Sequence, residues 1–261
     1  MSFFKIINEA VNDMIQNGFD SQTRLNIWVQ RIKQAATLFL VPEHKVKADM
    51  EKALRGVYNR LVVKDGLISS NVSRFTIDKL TPKMRADLDR RIMASANLIK
   101  YNRINAINST LQRFEGWATS IPKGGTRAAD KIAEKEALKK DMASVRFKER
   151  RVIIDQSHKL TASINEIVAL EAGAIAFKWR SHWKQQNYDY REDHKERDEK
   201  IYMVRGSWAD QAGYVKPVHG YYDEITAAGE EVYCRCYLIG IYNMPGLPDE
   251  FLTQKYKNKL N

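Results

Sequence analysis

Residues 161–180, TASINEIVALEAGAIAFKWR, carry the change of character on which the fold turns. Up to Glu171 the apolar residues Ile164, Ile167 and Val168 recur at helical steps, continuing Ile153 and Leu160 upstream, so one side of a helix is apolar. Gly173 is placed to end that helix, because the position just past a last turn favours the left-handed backbone that glycine adopts freely. From Ala174 to Trp179 the pattern alternates instead, as a half-buried strand does. Backward from this point, no proline or glycine occurs between Arg127 and Glu171, which predicts one very long helix or two in tandem. Forward from it, Ile201–Val204 is short and β-prone and Glu231–Ile241 is rich in Val, Tyr and Ile, which predicts a compact α+β module.

The chain upstream reads as helical. Phe3, Ile6, Ile7, Ala10, Val11, Met14 and Ile15 share one face, and Gly18 ends that helix. Asp20 and Ser21 offer caps to a second helix through Leu25, Trp28, Val29, Ile32 and Ala36, and Pro42 opens a third through Met50, Leu54 and Val57. Residues 61–68 fit either a small hairpin around Asp65-Gly66 or a helix end with a loop. Thr81-Pro82 reads as a cap and a first helical proline, opening a long helix through Met84, Leu88, Ile92, Ala96, Ile99 and Ile104. Pro122, Gly124, Gly125 and Thr126 punctuate the chain and suggest a boundary. The expected organisation is a helical region 1–120, a long connecting helix 127–172, an α+β module 173–245 and a polar tail 246–261 marked by Lys255, Lys257 and Lys259. The fold class is α+β.

With 261 residues, 44% of them hydrophobic and 29% charged, the chain can build a core. Its apolar runs are short, Ala35–Pro42 among the longest, and Glu171 breaks the run from Ile167 to Phe177, so no membrane partner is expected. Glu9 and Asp13 interrupt any signal-peptide core. The two cysteines, Cys234 and Cys236, are too close for an unstrained bridge, which points to a reducing cytoplasm. The net charge of +11 is unevenly placed: residues 1–160 hold 30 Lys+Arg against 17 Asp+Glu, a balance of +13, and residues 161–261 hold 13 against 15, a balance of −2. A basic part joined to a near-neutral one suits a surface for nucleic acid attached to a separate module, although a solvated lysine-rich face looks the same.

The chemistry-bearing residues lie between Lys178 and Cys236. If residues 189–200 are helical, Arg191, His194 and Asp198 share one face, and with Asp189 they form a positioned polar cluster. Cys234 and Cys236, read as same-side positions of a strand, offer two thiolates to zinc, with His194, His219 or His182 completing the set; the plain alternative is two small buried hydrophobes. A catalytic reading would make His194 a general base beside a metal on Asp189 and Asp198. No nucleophile motif, phosphate loop or His-Glu-x-x-His helix accompanies it, so a structural role is expected rather than turnover. Lys135, Lys139, Lys140, Arg146, Lys148, Arg150 and Arg151 are the candidates to face DNA.

The order Lys178-Trp179, then Asp189, Arg191, His194 and Asp198, then Glu231, Cys234, Arg235 and Cys236 resembles the phage Mu F-like minor head protein family, or phage head morphogenesis domain, over residues from about 150 to 241. That family usually has glycine after the aspartate, where this chain has Glu199, and a proline-rich loop before the cysteines, where residues 210–229 hold Pro217 alone. The resemblance implies a bacteriophage virion component made in the host cytoplasm. It implies a place inside the head near the portal vertex, bound to the portal oligomer, with a part in head assembly and in packaging or ejection of double-stranded DNA. The alternative class is a metal-dependent nuclease-like or hydrolytic effector.

Overall fold

The computed structural model describes residues 2–64, 66–67, 72–127 and 131–260. The class is α+β, with long helices in the N-terminal part and a small antiparallel sheet near the C-terminus. Helix α1 (Phe3–Asn17) stops at Gly18, whose φ of 69° is left-handed. Helix α2 (Gln22–Phe39) is capped by Ser21, whose side chain accepts the Arg24 N–H at 3.3 Å. Helix α3 (Glu43–Tyr58) runs into a π-helical turn, Asn59–Val63, so this segment is a helix end; residues 65 and 68 of the hairpin alternative lie outside the described residues.

Helix α4 (Arg74–Thr119) begins earlier than Thr81-Pro82 suggests. Its cap is Ser73, whose hydroxyl accepts the Thr76 N–H, and the apolar row already includes buried Ile77 and Leu80. That row binds the extra turn firmly enough to keep Pro82 inside the helix despite the backbone bond it removes. Helix α5 (Lys131–Glu171) is a single helix of 41 residues. Among the described residues no helix is long and apolar enough to cross a membrane.

The chain forms two compact units, and both long helices contribute to each: residues 1–52 with 93–153, and residues 53–92 with 154–261. In the first unit, Ile6, Ile7, Val11, Met14, Trp28, Ile32, Phe114, Leu138 and Met142 share one core. The Pro122–Thr126 turn, expected as a boundary, lies within this unit. It docks on the end of α1, with Gly124 N–H donating to Asn17 O and Thr126 N–H to Ile15 O, both at 3.0 Å. The approach requires glycine: a Cβ on Gly18 would stand 1.8 Å from Pro122 O. An Arg103–Glu149 ion pair lies buried between α4 and α5.

The second unit holds the sheet, in the order β2-β1-β3 with both pairings antiparallel. Strand β1 (Ala176–Arg180) sits between β2 (Ile201–Met203) and β3 (Tyr237–Ile241). One face, with Phe177, Trp179 and Tyr202, packs on Ala169, Tyr222, Cys234 and Cys236. The other, with Ala176, Ile201 and Met203, packs on Val215, Met244, Leu247 and Phe251. Residues 246–261 are therefore not a polar tail. Leu247 and Phe251 fill the second face, Val215 bridges to Leu252, and the short helix Gln254–Leu260 sends Lys255 Nζ to Ala212 O at 2.8 Å. Apolar residues ahead of the lysines hold the segment down.

Two outcomes follow from the buried charges. Arg103→Met should cost about 3–5 kcal/mol, because Glu149 is left buried and uncompensated, while Arg103→Met/Glu149→Leu should recover most of it in denaturant titration. Glu166 on α5 is held above the usual carboxylate range, first by burial and then, against the help of the Tyr222 hydroxyl, by the Glu230 charge. A raised folded-state value means that its contribution is fully present below the unfolded value and is lost as pH rises. Glu166→Gln should therefore raise the melting temperature at about pH 7 and leave it little changed near pH 4.

Candidate metal centre

Helix α6 (Glu192–Glu196) is only five residues long, with Glu192 and Asp193 in its first turn, where acidic side chains suit the helix dipole. The chain leaves it through Glu199, whose φ of 67° turns the backbone into β2. The helix expected over 189–200 is thus cut short, and the expected cluster divides. Arg191 and His194 stay together. Asp198, past the helix end, accepts the Ser181 N–H at 2.8 Å and the Trp183 indole N–H at 2.9 Å. Burial opposes its ionisation, yet these two donors and the nearby Arg180 and Lys184 charges hold its carboxyl below the usual range. Asp189 is exposed. Neither aspartate joins His194, so the arrangement in which both hold a metal beside a histidine base is not formed.

His194 is buried, 2% exposed, with the Trp179 ring edge against it at 5.4 Å and the Arg197 guanidinium over that indole at 5.2 Å. Its Nδ1 lies 3.6 Å from Cys234 Sγ and 3.5 Å from Cys236 Sγ, and the three donor atoms fall within 4.8 Å of one another. Both cysteines are buried, while Arg235 between them faces solvent. They do not stand on a strand as expected: β3 begins at Tyr237, and the cysteines lie in the loop that enters it. That loop places both sulfurs inward through a left-handed residue, Tyr233, at φ 61°.

The loop is tied at several points. Asp155 of α5, itself buried, accepts the Tyr233 N–H at 2.6 Å and is balanced by Lys159 at 3.2 Å. Gly229 donates its N–H to Cys234 Sγ at 3.4 Å, where a Cβ would meet Ala162 at 2.8 Å. Arg191 donates to Val232 O and pairs with Glu231 at 2.8 Å, and Glu231 Oε2 lies 3.4 Å from His194 Nε2. Cys234 ionises below an ordinary thiol: the Cys236 thiol donates to it, and against burial the His194 ring and the Gly229 and Cys236 N–H groups also favour its thiolate. Cys236 is pushed up, first by holding the proton between the sulfurs, then by burial and the Cys234 charge. One nitrogen and two sulfurs thus converge in a buried cluster that can hold a metal ion.

His219, offered by the sequence as a ligand, is elsewhere. Its Nδ1 sits 3.2 Å from the N and O of Ile201, and its ring rests on Phe251 at 5.4 Å. His182 stacks with Tyr188 and Tyr237 instead. Asp155 and Gly229 were not among the expected site residues. The sequence does hold a sign of Asp155, which falls three residues after Val152 on the apolar side of α5, where an unpaired carboxylate would be costly.

Among the DNA-facing candidates, Lys135 donates to Asn12 Oδ1 at 3.0 Å, Lys139 pairs with Glu136 at 3.1 Å, and Arg151 lies over the Phe147 ring at 5.5 Å. Lys140, Arg146, Lys148 and Arg150 are exposed, with Arg146 and Lys148 on opposite flanks of the row formed by buried Leu138, Met142, Val145 and Glu149 and Lys140 and Arg150 farther round α5. Comparison of the chain with models of protein families, with curated proteins and with solved structures finds no match.

Glu199 offers a clean test of the local backbone. Its carboxylate pairs with Lys178 and Arg180 at the surface, and both Glu199→Ala and Glu199→Gly lose those pairs, but only glycine relieves the left-handed strain. The glycine variant should be the more stable of the two by about 1 kcal/mol in denaturant titration.

Proposed function

We propose that this chain is a portal-associated minor head protein of a bacteriophage. In this reading its C-terminal module is stapled by zinc on His194, Cys234 and Cys236, and its basic helical part lies against packaged double-stranded DNA. The observation that carries the reading is the meeting of residues far apart in sequence. Six of the ten positions behind the Mu F-like resemblance, Trp179, Arg191, His194, Glu231, Cys234 and Cys236, meet around one small core, while Lys178, Asp189, Asp198 and Arg235 do not join them. Glu199 adds to it: where that family usually has glycine, this backbone is left-handed, the conformation for which glycine is suited.

Zinc suits the donor set. Tetrahedral bonds of about 2.3 Å to sulfur and 2.0–2.1 Å to nitrogen set a sulfur–nitrogen separation of about 3.6 Å, close to the two separations found. A bound ion would cross-link α6 to the loop entering β3, and its binding energy would then be folding energy. Burial of all three donors favours that structural role over turnover. For DNA, the exposed Lys140, Arg146, Lys148 and Arg150 supply phosphate neutralisation without base reading.

Mass spectrometry of purified virions tests the assignment. The protein should be present at a fixed low ratio to the portal protein and should co-purify with the portal oligomer when the two are expressed together; absence from virions would overturn it. For the DNA surface, reversing Lys140, Arg146, Lys148 and Arg150 to Glu should weaken binding to duplexes of any sequence and reduce the slope of log K against log salt by about 3–4.

A further inference from the structure

Glu166 stands on α5 with its carboxylate partly out of water. The cation acting on it, Arg91 of α4, is engaged by Asp87 at 3.0 Å, and burial with the Glu230 charge holds the Glu166 carboxyl above the usual range. Glu166 and Glu230 line one cleft of about 360 Å³ within the second unit. The Ala227 N–H fixes Glu230 there, donating to its Oε2 at 3.0 Å. Arg205, the cation in the lining, is already committed: it pairs with Asp223 at 3.0 Å and with Glu224, and it lies over the Tyr221 ring at 3.8 Å. Tyr222 forms part of the wall and is 8% exposed. Its hydroxyl lies toward the Glu166 carboxylate and favours the charge, yet the pair falls short of a hydrogen bond, and no other described residue completes one. Buried hydroxyls in that state are rare.

Two carboxylates and a hydroxyl therefore offer acceptors to one space, whose other walls include Leu170, Val204 and Ile225. A hard divalent ion suits this lining poorly, because it takes about six or more oxygens. An organic cation on an aliphatic stem suits both halves of it: the stem lies on the apolar walls while the head donates to the acceptors. Of the two common heads, guanidinium is more weakly hydrated than ammonium, so it gives up less on entering a half-buried site, and its donors can serve several acceptors at once. We propose that this cleft is a binding site for an alkylguanidinium group, held by Glu166, Glu230 and the Tyr222 hydroxyl. An arginine side chain of a partner polypeptide and a free small guanidine share that chemistry. The site stands apart from the zinc and DNA readings. It also accounts for a carboxylate at 166 that lowers stability near neutral pH, since a bound cation offsets the loss.

The test titrates the nitrogen-labelled full chain with n-butylguanidinium chloride at neutral pH and constant ionic strength. Amide NMR signals of Val204, Tyr222, Ile225 and Ala227 should shift together and saturate at millimolar probe, the range open to so small a ligand. n-Butylurea, equally long but uncharged, should leave them in place, and n-butylammonium should bind more weakly. Tyr222→Phe removes a hydroxyl that holds no hydrogen bond, so the fold should stay intact while the probe binds about 3–10-fold more weakly. Glu230→Gln, at an exposed carboxylate, should weaken the probe about 10-fold. No saturable shift, equal binding of the urea or the ammonium, the same shifts from calcium chloride alone, or unchanged affinity in either folded variant overturns the inference. Arginine blocked at both ends as an amide then separates the sources: binding at least as tight as n-butylguanidinium assigns the site to an arginine within a polypeptide, and weaker binding assigns it to a free guanidine.

Discussion

The C-terminal module depends on the approach of two sulfurs to one imidazole nitrogen. Bringing Cys234, Cys236 and His194 together out of water strips three polar groups of solvent, and the surrounding contacts offset that cost. Trp179 closes one side, Gly229 donates to a sulfur, and Asp155 holds Tyr233 in a left-handed turn so that Cys234 and Cys236 both face inward. Together with these ties, the convergence joins α6 to the loop entering β3. A metal ion would replace the shared thiol proton with a stronger link in the same place.

Much of this fold was legible because its signals are local. The apolar stripe of α1, its stop at Gly18, the Ser21 cap and the absence of helix breakers along α5 each act within a few residues, and the structure follows them. Thr81-Pro82 misled for the same reason: a local start signature was outweighed by Ile77 and Leu80, which extend the buried row upstream. The site was legible by residue type and not by arrangement. His194 and the cysteines were in the expected set, but the choice of His194 over His219 rests on topology, since His219 is taken up by the backbone of Ile201. Asp198 left the cluster because Glu199 ends the helix after one turn. The cysteine loop looked like a strand because Val232 and Tyr233 are β-prone, and composition does not reveal a left-handed turn at Tyr233.

The two units carry different physical tasks. The first carries exposed basic residues of α5 around its buried row, and its interior packs helices about the buried Arg103–Glu149 pair, a kind of contact that adds little net stability. The second packs both faces of its three-stranded sheet into apolar cores. A metal ion on His194, Cys234 and Cys236 would add a cross-link within one of those cores.

Zinc-edge X-ray absorption of the purified full chain, loaded with one equivalent of zinc, tests that claim most directly. The account expects two sulfur scatterers at about 2.3 Å with nitrogen or oxygen at about 2.0–2.1 Å. A shell of nitrogen and oxygen alone, or no retained zinc, would contradict it.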